Sequence, residues 1–260
     1  METVALPLVA AFLGLVLGSF FNVVIHRLPK QESVVLPRSH CPRCLTPIHW
    51  YDNLPLLSYL FLGGRCRSCK APISLRYPLV EALGALLLPY VVLRFGIGWE
   101  TLRIFLFAST FLILFFTDLE SRILPDELTL GGVLLAFGCS FFLDDPNWKG
   151  SLFGATLGFL ILWGAYLFHL KWKKKEGLGW GDIKLILLIG ALFGPFRMLW
   201  ILITASLIGL IVGLGVIVLF KRGRDYELPF GSFLALASIL FLFRFSWLEH
   251  FFSKWTNLVP

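Results

Sequence analysis

The stretch GLGWGDIKLILLIGALF, Gly177 to Phe193, opens a long apolar run and places one aspartate, Asp182, at its start. A charged side chain near the centre of a bilayer costs about 3 kcal/mol or more. An aspartate at the boundary of an apolar run is therefore either a helix cap that faces water or a functional group. The run continues to residue 220, which is long enough for two membrane-spanning helices. The stretch predicts a helical membrane protein with a carboxylate at the membrane boundary.

The composition of the whole chain agrees with this interpretation. Of its 260 residues, 57% are hydrophobic and 15% are charged, and the mean hydropathy is +0.81. We therefore predict an all-α multi-pass membrane protein with about eight transmembrane helices. The sixth and seventh spans are separated only by residues 194–197, so seven spans or a re-entrant segment is the alternative. The predicted spans are 4–25, 79–95, 100–117, 128–143, 151–170, 183–199, 200–220 and 231–247.

Basic residues fall mainly in alternate loops, and such residues are retained on the cytoplasmic side of the membrane. This asymmetry predicts that the N-terminus lies outside and the long loop after the first span lies in the cytoplasm. The first apolar run has no basic leader and no A-x-A end, so we expect it to be retained as a span. Topology and anionic lipid headgroups account for the net charge of +7, so we expect membrane lipids and no nucleic acid as partners. The predicted cytoplasmic basic residues are Arg27, Lys30, Arg38, Arg43, Arg65, Arg67, Lys70, Arg76, Arg122, Lys171, Lys173, Lys174, Lys175, Lys221, Arg222 and Arg224, against Lys149, Arg197 and Lys254 on the other side.

The long loop, residues 26–78, carries two C-x-x-C pairs, CPRC at 41–44 and CRSC at 66–69. This is close to the spacing of a tetrathiolate zinc site, and a small segment with few apolar residues needs such a link to fold. Disulfides do not persist on the reducing side of a membrane. We predict structural Zn²⁺ bound by Cys41, Cys44, Cys66 and Cys69, with disulfides, another metal or redox use, or plain thiols as alternatives. The predicted domains are a first helix at 1–25, this loop at 26–78, and a transmembrane core at 79–260.

A second acid, Asp118, lies at the same predicted membrane depth as Asp182. It is the first charge after the apolar run FLILFFT, residues 111–117. Two carboxylates at one depth suit acid–base hydrolysis, in which one is ionised and accepts a proton from water while the other is protonated and donates to the scissile carbonyl. Gly177, Gly179 and Gly181 leave no side chain to block an extended peptide.

Structural roles for the same acids remain open at this point. Asp182 is a good N-cap for the helix that follows, and Asp118 is one turn away from Arg122, with which it can pair. Three other acids, Glu120, Asp126 and Glu127, belong to the same loop as Asp118, and Pro125-Asp126 is a sound helix start. Composition does not choose among them.

Seven segments together resemble the bacterial prepilin leader peptidases with N-methyltransferase activity, over nearly the whole chain. They occur in that family's order. They are GSFFNVVIHRLP at 18–29, the CPRC and CRSC pairs, WYDNLPLLSYL at 50–60, ISLRYPLVEALGALL at 73–87, TDLESRILPDELT at 117–129, the G-x-G-D of 179–182 followed by IKL, and LPFGSFLALA at 228–237. One departure is Ser232, where the family commonly has proline, and it affects the expected rigidity of that loop.

The resemblance implies a membrane aspartyl protease whose catalytic aspartates correspond to Asp118 and Asp182. Gly179, Gly181, Pro229 and Gly231 correspond to residues that support the active site. It also implies cleavage of the leader of prepilin and pseudopilin precursors at the cytoplasmic face of the bacterial inner membrane, followed by N-methylation with S-adenosylmethionine as cosubstrate.

The methyl-transfer site is not evident from the sequence. No G-x-G-x-x-G motif follows a strand, and polar residues of the loop and Glu81, just inside the second span, are the candidates. Two other classes remain as alternatives, namely a transporter, for which we find no internal repeat, and a non-enzymatic zinc-bearing scaffold, which does not explain the two aspartates.

Overall fold

A computed structural model describes residues 2–173, 179–220 and 228–243, and these residues contain helices and no β-strand. The prediction of an all-α multi-pass protein is confirmed. Two short 3₁₀ helices, Leu28–Lys30 and Trp50–Asn53, lie in the loop after α1. The α-helices are α1 Glu2–Arg27, α2 Leu57–Phe61, α3 Arg76–Phe95, α4 Trp99–Ser121, α5 Asp126–Ser140, α6 Trp148–Lys173, α7 Trp180–Phe220 and α8 Phe230–Leu242.

Each of the eight predicted spans coincides with a helical segment. Within the described residues, five helices are long and apolar enough to cross a membrane, namely α1, α3, α4, α6 and α7. The shorter α5 and α8 have 15 and 13 described residues. The predicted sixth and seventh spans both lie in α7, but the bend comes at Gly194 and so precedes the predicted limit between residues 199 and 200.

Helix α7 bends sharply at Gly194, so its two halves are distinct helical segments. Gly194 has φ 76° and ψ 176°, a conformation that suits glycine, and the following Pro195 has no N–H to donate. A straight helix would hold Ile186 and Met198 about 18 Å apart along its axis. Instead, a Cβ added to Gly158 would lie 3.2 Å from Ile186 and 3.5 Å from the Cε of Met198. The chain therefore folds back at Gly194.

The chain divides into two compact units, Met1–Ser109 and Thr110–Pro260. In the first unit, α1 packs against α3 with almost no side chain between them. A Cβ on Gly14 would collide with the carbonyl oxygen of Gly84, and a Cβ on Gly18 would lie 2.9 Å from the Cα of Glu81. Small residues permit this close helix crossing, which is common between membrane helices.

In the second unit, the first half of α7 forms the core. Its residues Ile183, Leu185, Ile186, Leu188 and Ile189 are all at most 1% exposed. Helices α5, α6 and α8 pack around α7. On α6, a Cβ on Gly154 would collide with the backbone of α7 at Gly190, so backbone contact again sets the helix separation.

Several residues named from the sequence lie outside the described residues. They are Lys174, Lys175, Gly177, Lys221, Arg222, Arg224, Lys254 and residues 244–247 of the eighth predicted span. The predicted domain limits and membrane orientation stay predictions.

Candidate active site and metal site

The two C-x-x-C turns have the same local structure. In each turn, the N–H of the first cysteine donates to the carbonyl oxygen of the residue five positions later. The residue four positions later has a φ of 57°, and its N–H donates to the carbonyl oxygen of the first cysteine. The hydrogen-bonded pairs are Cys41–Thr46 (3.0 Å) and Cys41–Leu45 (2.9 Å) in the first turn, and Cys66–Ala71 (2.8 Å) and Cys66–Lys70 (3.0 Å) in the second. The repeated spacing therefore encodes a repeated backbone structure.

The structure brings the four cysteine sulfurs together. The Sγ atoms of Cys41 and Cys69 are 3.8 Å apart, those of Cys44 and Cys66 are 4.0 Å apart, and all four lie within 4.8 Å of one another. A disulfide requires about 2.0 Å. Zinc–sulfur bonds of about 2.3 Å in a tetrahedron place the sulfurs about 3.8 Å apart, so the four side chains fit a single zinc ion. Cys139 lies on α5 and is not part of this group.

Hydrogen bonds within the turns favour the thiolate form of two of these cysteines. The side chain and the N–H of Thr46 donate to Cys44 and lower its pKa to about 6. The backbone N–H groups of Cys69 and Ser68 lower the pKa of Cys66 in the same way. Thiolates are the form that binds metal ions.

An ion pair fixes the second turn to the 3₁₀ helix Trp50–Asn53. The guanidinium of Arg67, between Cys66 and Cys69, donates to both carboxylate oxygens of Asp52 at 2.8 and 2.6 Å. The hydrogen bonds from Arg67 lower the pKa of Asp52, whose side chain is only 9% exposed. Bidentate pairs of this kind fix orientation as well as distance.

Asp118 and Asp182 are both buried and lie close together in the second unit. Asp118 is in the last turn of α4 and is 5% exposed, whereas Asp182 is in the first turn of α7 and is 9% exposed. A Cβ added to Gly231 would lie 3.0 Å from Asp182 Oδ1 and 3.1 Å from Asp118 Cγ. Because Asp182 Oδ1 and Asp118 Cγ both lie within 3.1 Å of this one Cβ position, the two carboxyl groups are close neighbours. Two carboxylates in a shared buried space can share a proton.

Ser232 binds directly to Asp118, a contact that the sequence analysis missed. Its N–H donates to Asp118 Oδ2 at 2.5 Å, and its hydroxyl oxygen lies 2.9 Å from the same Oδ2 and 3.1 Å from the carbonyl oxygen of Phe115. Ser232 is 1% exposed in the first turn of α8, so it belongs to a helix and not to a loop. The departure from proline was the available signal, because proline cannot donate an N–H.

The glycines near the aspartates serve close packing as well as access. A Cβ on Gly181 would lie 3.1 Å from Leu124, and one on Gly231 would lie 2.8 Å from Leu124. Leu124 therefore fills the space beside both glycines. Gly179 is exposed, and the nearest atom to a Cβ there would be Asp182 Oδ2 at 3.6 Å. Pro229 precedes α8 as its N-cap residue.

The three other acids that the sequence placed in one loop with Asp118 lie in helices, Glu120 in α4 and Asp126 and Glu127 in α5, and they are exposed. Asp126 is paired with Lys184, whose Nζ lies 2.6 and 2.8 Å from the two carboxylate oxygens. Glu120 and Glu127 are also exposed. Burial therefore distinguishes Asp118 and Asp182 from the neighbouring acids. The sequence alone did not make this distinction.

Glu81 lies on α3 in the first unit and is 9% exposed. Its Oε2 accepts a hydrogen bond of 2.8 Å from the N–H of Leu56. Leu56 belongs to the long loop of residues 26–78 that carries the four cysteines, which we call the Cys-rich loop. A buried acid within a membrane-spanning helix usually has a function or a specific partner.

Two protein-family models match the chain. The Bacterial Peptidase A24 N-terminal domain matches residues 12–95, and the Type IV leader peptidase family matches residues 105–214. The first contains the four-cysteine group and Glu81, and the second contains Asp118 and Asp182. No solved structure matches the chain.

Curated relatives are similar over most of their length. A protein of Aeromonas hydrophila is 40% identical over 253 residues, covering 86% of this chain and 86% of that protein. One of Pseudomonas aeruginosa is 38% identical over 262 residues, covering 90% and 88%. One of Myxococcus xanthus is 42% identical over 223 residues, covering 84% and 65%. All three are named prepilin leader peptidase/N-methyltransferase.

Proposed function

The chain belongs to the type IV leader peptidase family, and on that premise we propose that it removes the leader peptide of type IV prepilins and pseudopilins and then methylates the new N-terminal amine. The observation that carries the proposal is the pair of buried carboxylates, Asp118 and Asp182, which adjoin Gly231 from two different helices.

We assign the acid–base roles from the hydrogen bonds of Asp118. Its Oδ2 accepts the Ser232 N–H and lies 2.9 Å from the Ser232 hydroxyl oxygen, and hydrogen bonds donated to a carboxylate favour its ionised form. Asp118 is accordingly the ionised partner, which accepts a proton from the attacking water, and Asp182 is the protonated partner, which donates to the scissile carbonyl. In this mechanism water attacks the peptide bond directly, and no acyl-enzyme forms.

The proposed location is the bacterial inner membrane, with the N-terminus outside and both aspartates at the cytoplasmic face. The support is the accumulation of lysine and arginine in alternate loops. A precursor inserted in the bilayer would then hold its basic leader on the side where the aspartates lie.

We assign methyl transfer to the Cys-rich loop, residues 26–78, and to the helices next to it. The four cysteines would hold Zn²⁺, whose role in a closed four-sulfur site is structural. S-adenosylmethionine would supply the methyl group. Leader cleavage is assigned to the core of residues 79–260.

The test is to incubate membranes that contain the protein with candidate prepilin and pseudopilin precursors and to measure the masses of their N-terminal peptides. We expect loss of the leader and a gain of one methyl group on the new N-terminus. Intact precursors would refute the peptidase assignment and favour a transporter or a scaffold.

Purified protein should contain about one zinc ion per chain. Replacing Cys44 or Cys69 with serine removes one thiolate and should lower the metal content by at least about half, because three ligands hold the ion less tightly. Metal analysis of the purified variants measures this. Cys139→Ser is the matched control and should keep the zinc of the wild type. Equal zinc content in all three variants would refute the four-cysteine site.

Ser232→Ala should lower the kcat of leader cleavage by about threefold to tenfold without changing KM, because one hydrogen bond to a charged group is lost while the N–H remains. Ser232→Thr keeps the hydroxyl and should restore kcat. A steady-state assay with a prepilin substrate measures both constants. If the alanine variant has the kcat of the wild type, the hydroxyl does not position Asp118.

A further inference from the structure

A cavity of about 820 Å³ lies in the first unit, between α1, α3 and the Cys-rich loop. Its size is within the range of about 300–1,000 Å³ that is typical of small-molecule sites. Its lining includes the aromatic rings of His49, Tyr59 and Tyr77, on which a nucleobase can stack. The cavity is therefore suited to a nucleoside-sized ligand.

One face of α1 runs the length of this cavity. Ser19, Asn22 and His26 line it at α-helical spacing, over about 10 Å of helix axis, and Lys30 of the 3₁₀ helix that follows α1 continues this lining. Glu81 is level with the first of these, since a Cβ on Gly18 would lie 2.9 Å from its Cα. Glu81 is thus at the end of the cavity deeper in the helix pair. The loop end carries the basic residues together with two other acids of the lining, Glu32 and Asp52, of which Asp52 is paired with Arg67.

Glu81 is a buried carboxylate whose recorded hydrogen-bond donors carry no positive charge. Its hydrogen-bond donors, the N–H of Leu56 and the hydroxyl of Ser19, are both neutral. Within residues 2–173, 179–220 and 228–243, no positively charged side chain is among the groups that interact electrostatically with Glu81. A buried charge left without an opposite charge is costly. A positively charged ligand in the cavity would supply the missing charge.

The backbone beside Glu81 is held in an unfavourable conformation. Leu56, which donates to the carboxylate, has φ 60° and ψ −46°, a region that non-glycine residues rarely occupy. Such conformations persist where the surrounding structure fixes them, often at binding sites. The contact between Leu56 and Glu81 thus fixes the carboxylate at the wall of the cavity.

We propose that this cavity binds S-adenosylmethionine with its sulfonium group against Glu81, which rests on the methyl transfer proposed above. During transfer, the amine nitrogen of the cleaved precursor gives its lone pair to the methyl carbon. The carbon–sulfur bond breaks, its electrons stay on sulfur, and one proton leaves the methylated amine. The sulfur is then a neutral thioether, so the attraction between Glu81 and the sulfonium charge ends with the reaction.

The test compares the binding of S-adenosylmethionine and S-adenosylhomocysteine, which differ by one methyl group and one charge, to full-length protein in nanodiscs by calorimetry. Glu81→Gln removes the charge and keeps the volume, and it should bind S-adenosylmethionine about tenfold more weakly while the affinity for S-adenosylhomocysteine changes less than about threefold. Glu100→Gln, an acid of the same unit outside the cavity lining, should bind both as the wild type does. Equal losses for the two ligands, or no loss, would overturn the role of Glu81.

A second measurement does not depend on the variant. A photoreactive azidoadenine analogue of S-adenosylmethionine should label wild-type peptides within residues 19–30 or 49–81. Labelling elsewhere in a protein that methylates its cleaved product would overturn the cavity assignment and leave the proposed function intact. A wild type that neither binds the cosubstrate nor methylates would refute methyl transfer itself.

Discussion

Replacing Asp118 or Asp182 with asparagine is expected to reduce leader cleavage by at least about a thousandfold. An amide has nearly the volume of a carboxylate, but it neither accepts a proton from water nor carries an acidic proton to donate. Both side chains are buried beside the same point near Gly231, so no neighbouring group replaces the missing one. The measurement is the amount of mature precursor formed by equal quantities of inserted enzyme.

Asp126→Asn is the matched control for these two variants. Asp126 is the first residue of α5, shortly after Asp118 in the chain, but it is exposed and paired with Lys184. An exposed ion pair of this kind contributes at most about 1 kcal/mol, so this variant should insert normally and retain activity. Substantial processing by a folded Asp118 or Asp182 variant would disprove the catalytic assignment.

The double variant Cys41→Ser/Cys44→Ser is expected to cleave precursors at a reduced but measurable rate and to leave the new N-terminus unmethylated. The substitutions remove two of the four sulfurs that hold the Cys-rich loop together, and that loop forms one wall of the cavity next to Glu81. The aspartates belong to the second unit, and Asp118 accepts its hydrogen bond from the N–H of Ser232 on α8. The mass of the mature N-terminal peptide separates the two activities.

Two results would contradict this separation. Fully methylated product from the double variant would show that methyl transfer does not require the four-cysteine site. Loss of both activities in a protein that inserts normally would show that the loop also binds the leader. Cys139→Ser again controls for the loss of a thiol as such.

The elements of the fold follow from local sequence, which is why they were predictable. Apolar runs of membrane length can satisfy their backbone hydrogen bonds only as helices. Gly194 and Pro195 together mark the bend in α7. The C-x-x-C spacing likewise fixes each cysteine turn, because every hydrogen bond within the turn joins residues at most five positions apart.

The contacts that complete the candidate sites join distant residues and were not predictable. Ser232 and Asp118 are 114 positions apart, and Glu81 and Leu56 are 25 apart. Such pairs depend on how whole helices pack, which one sequence does not specify through any local pattern. The resemblance to a known family selected the two aspartates, but it gave no reason to expect a hydrogen bond from the residue that replaces proline.

The bond between Ser232 and Asp118 also has a consequence for the order of events during biosynthesis. A ribosome makes α4 and α7 before α8, so both carboxylates are in the chain while Ser232 has still to be synthesised. Until then Asp118 has neither of the two hydrogen bonds that Ser232 donates to it. The pair of carboxylates therefore reaches its final arrangement only after α8 has docked.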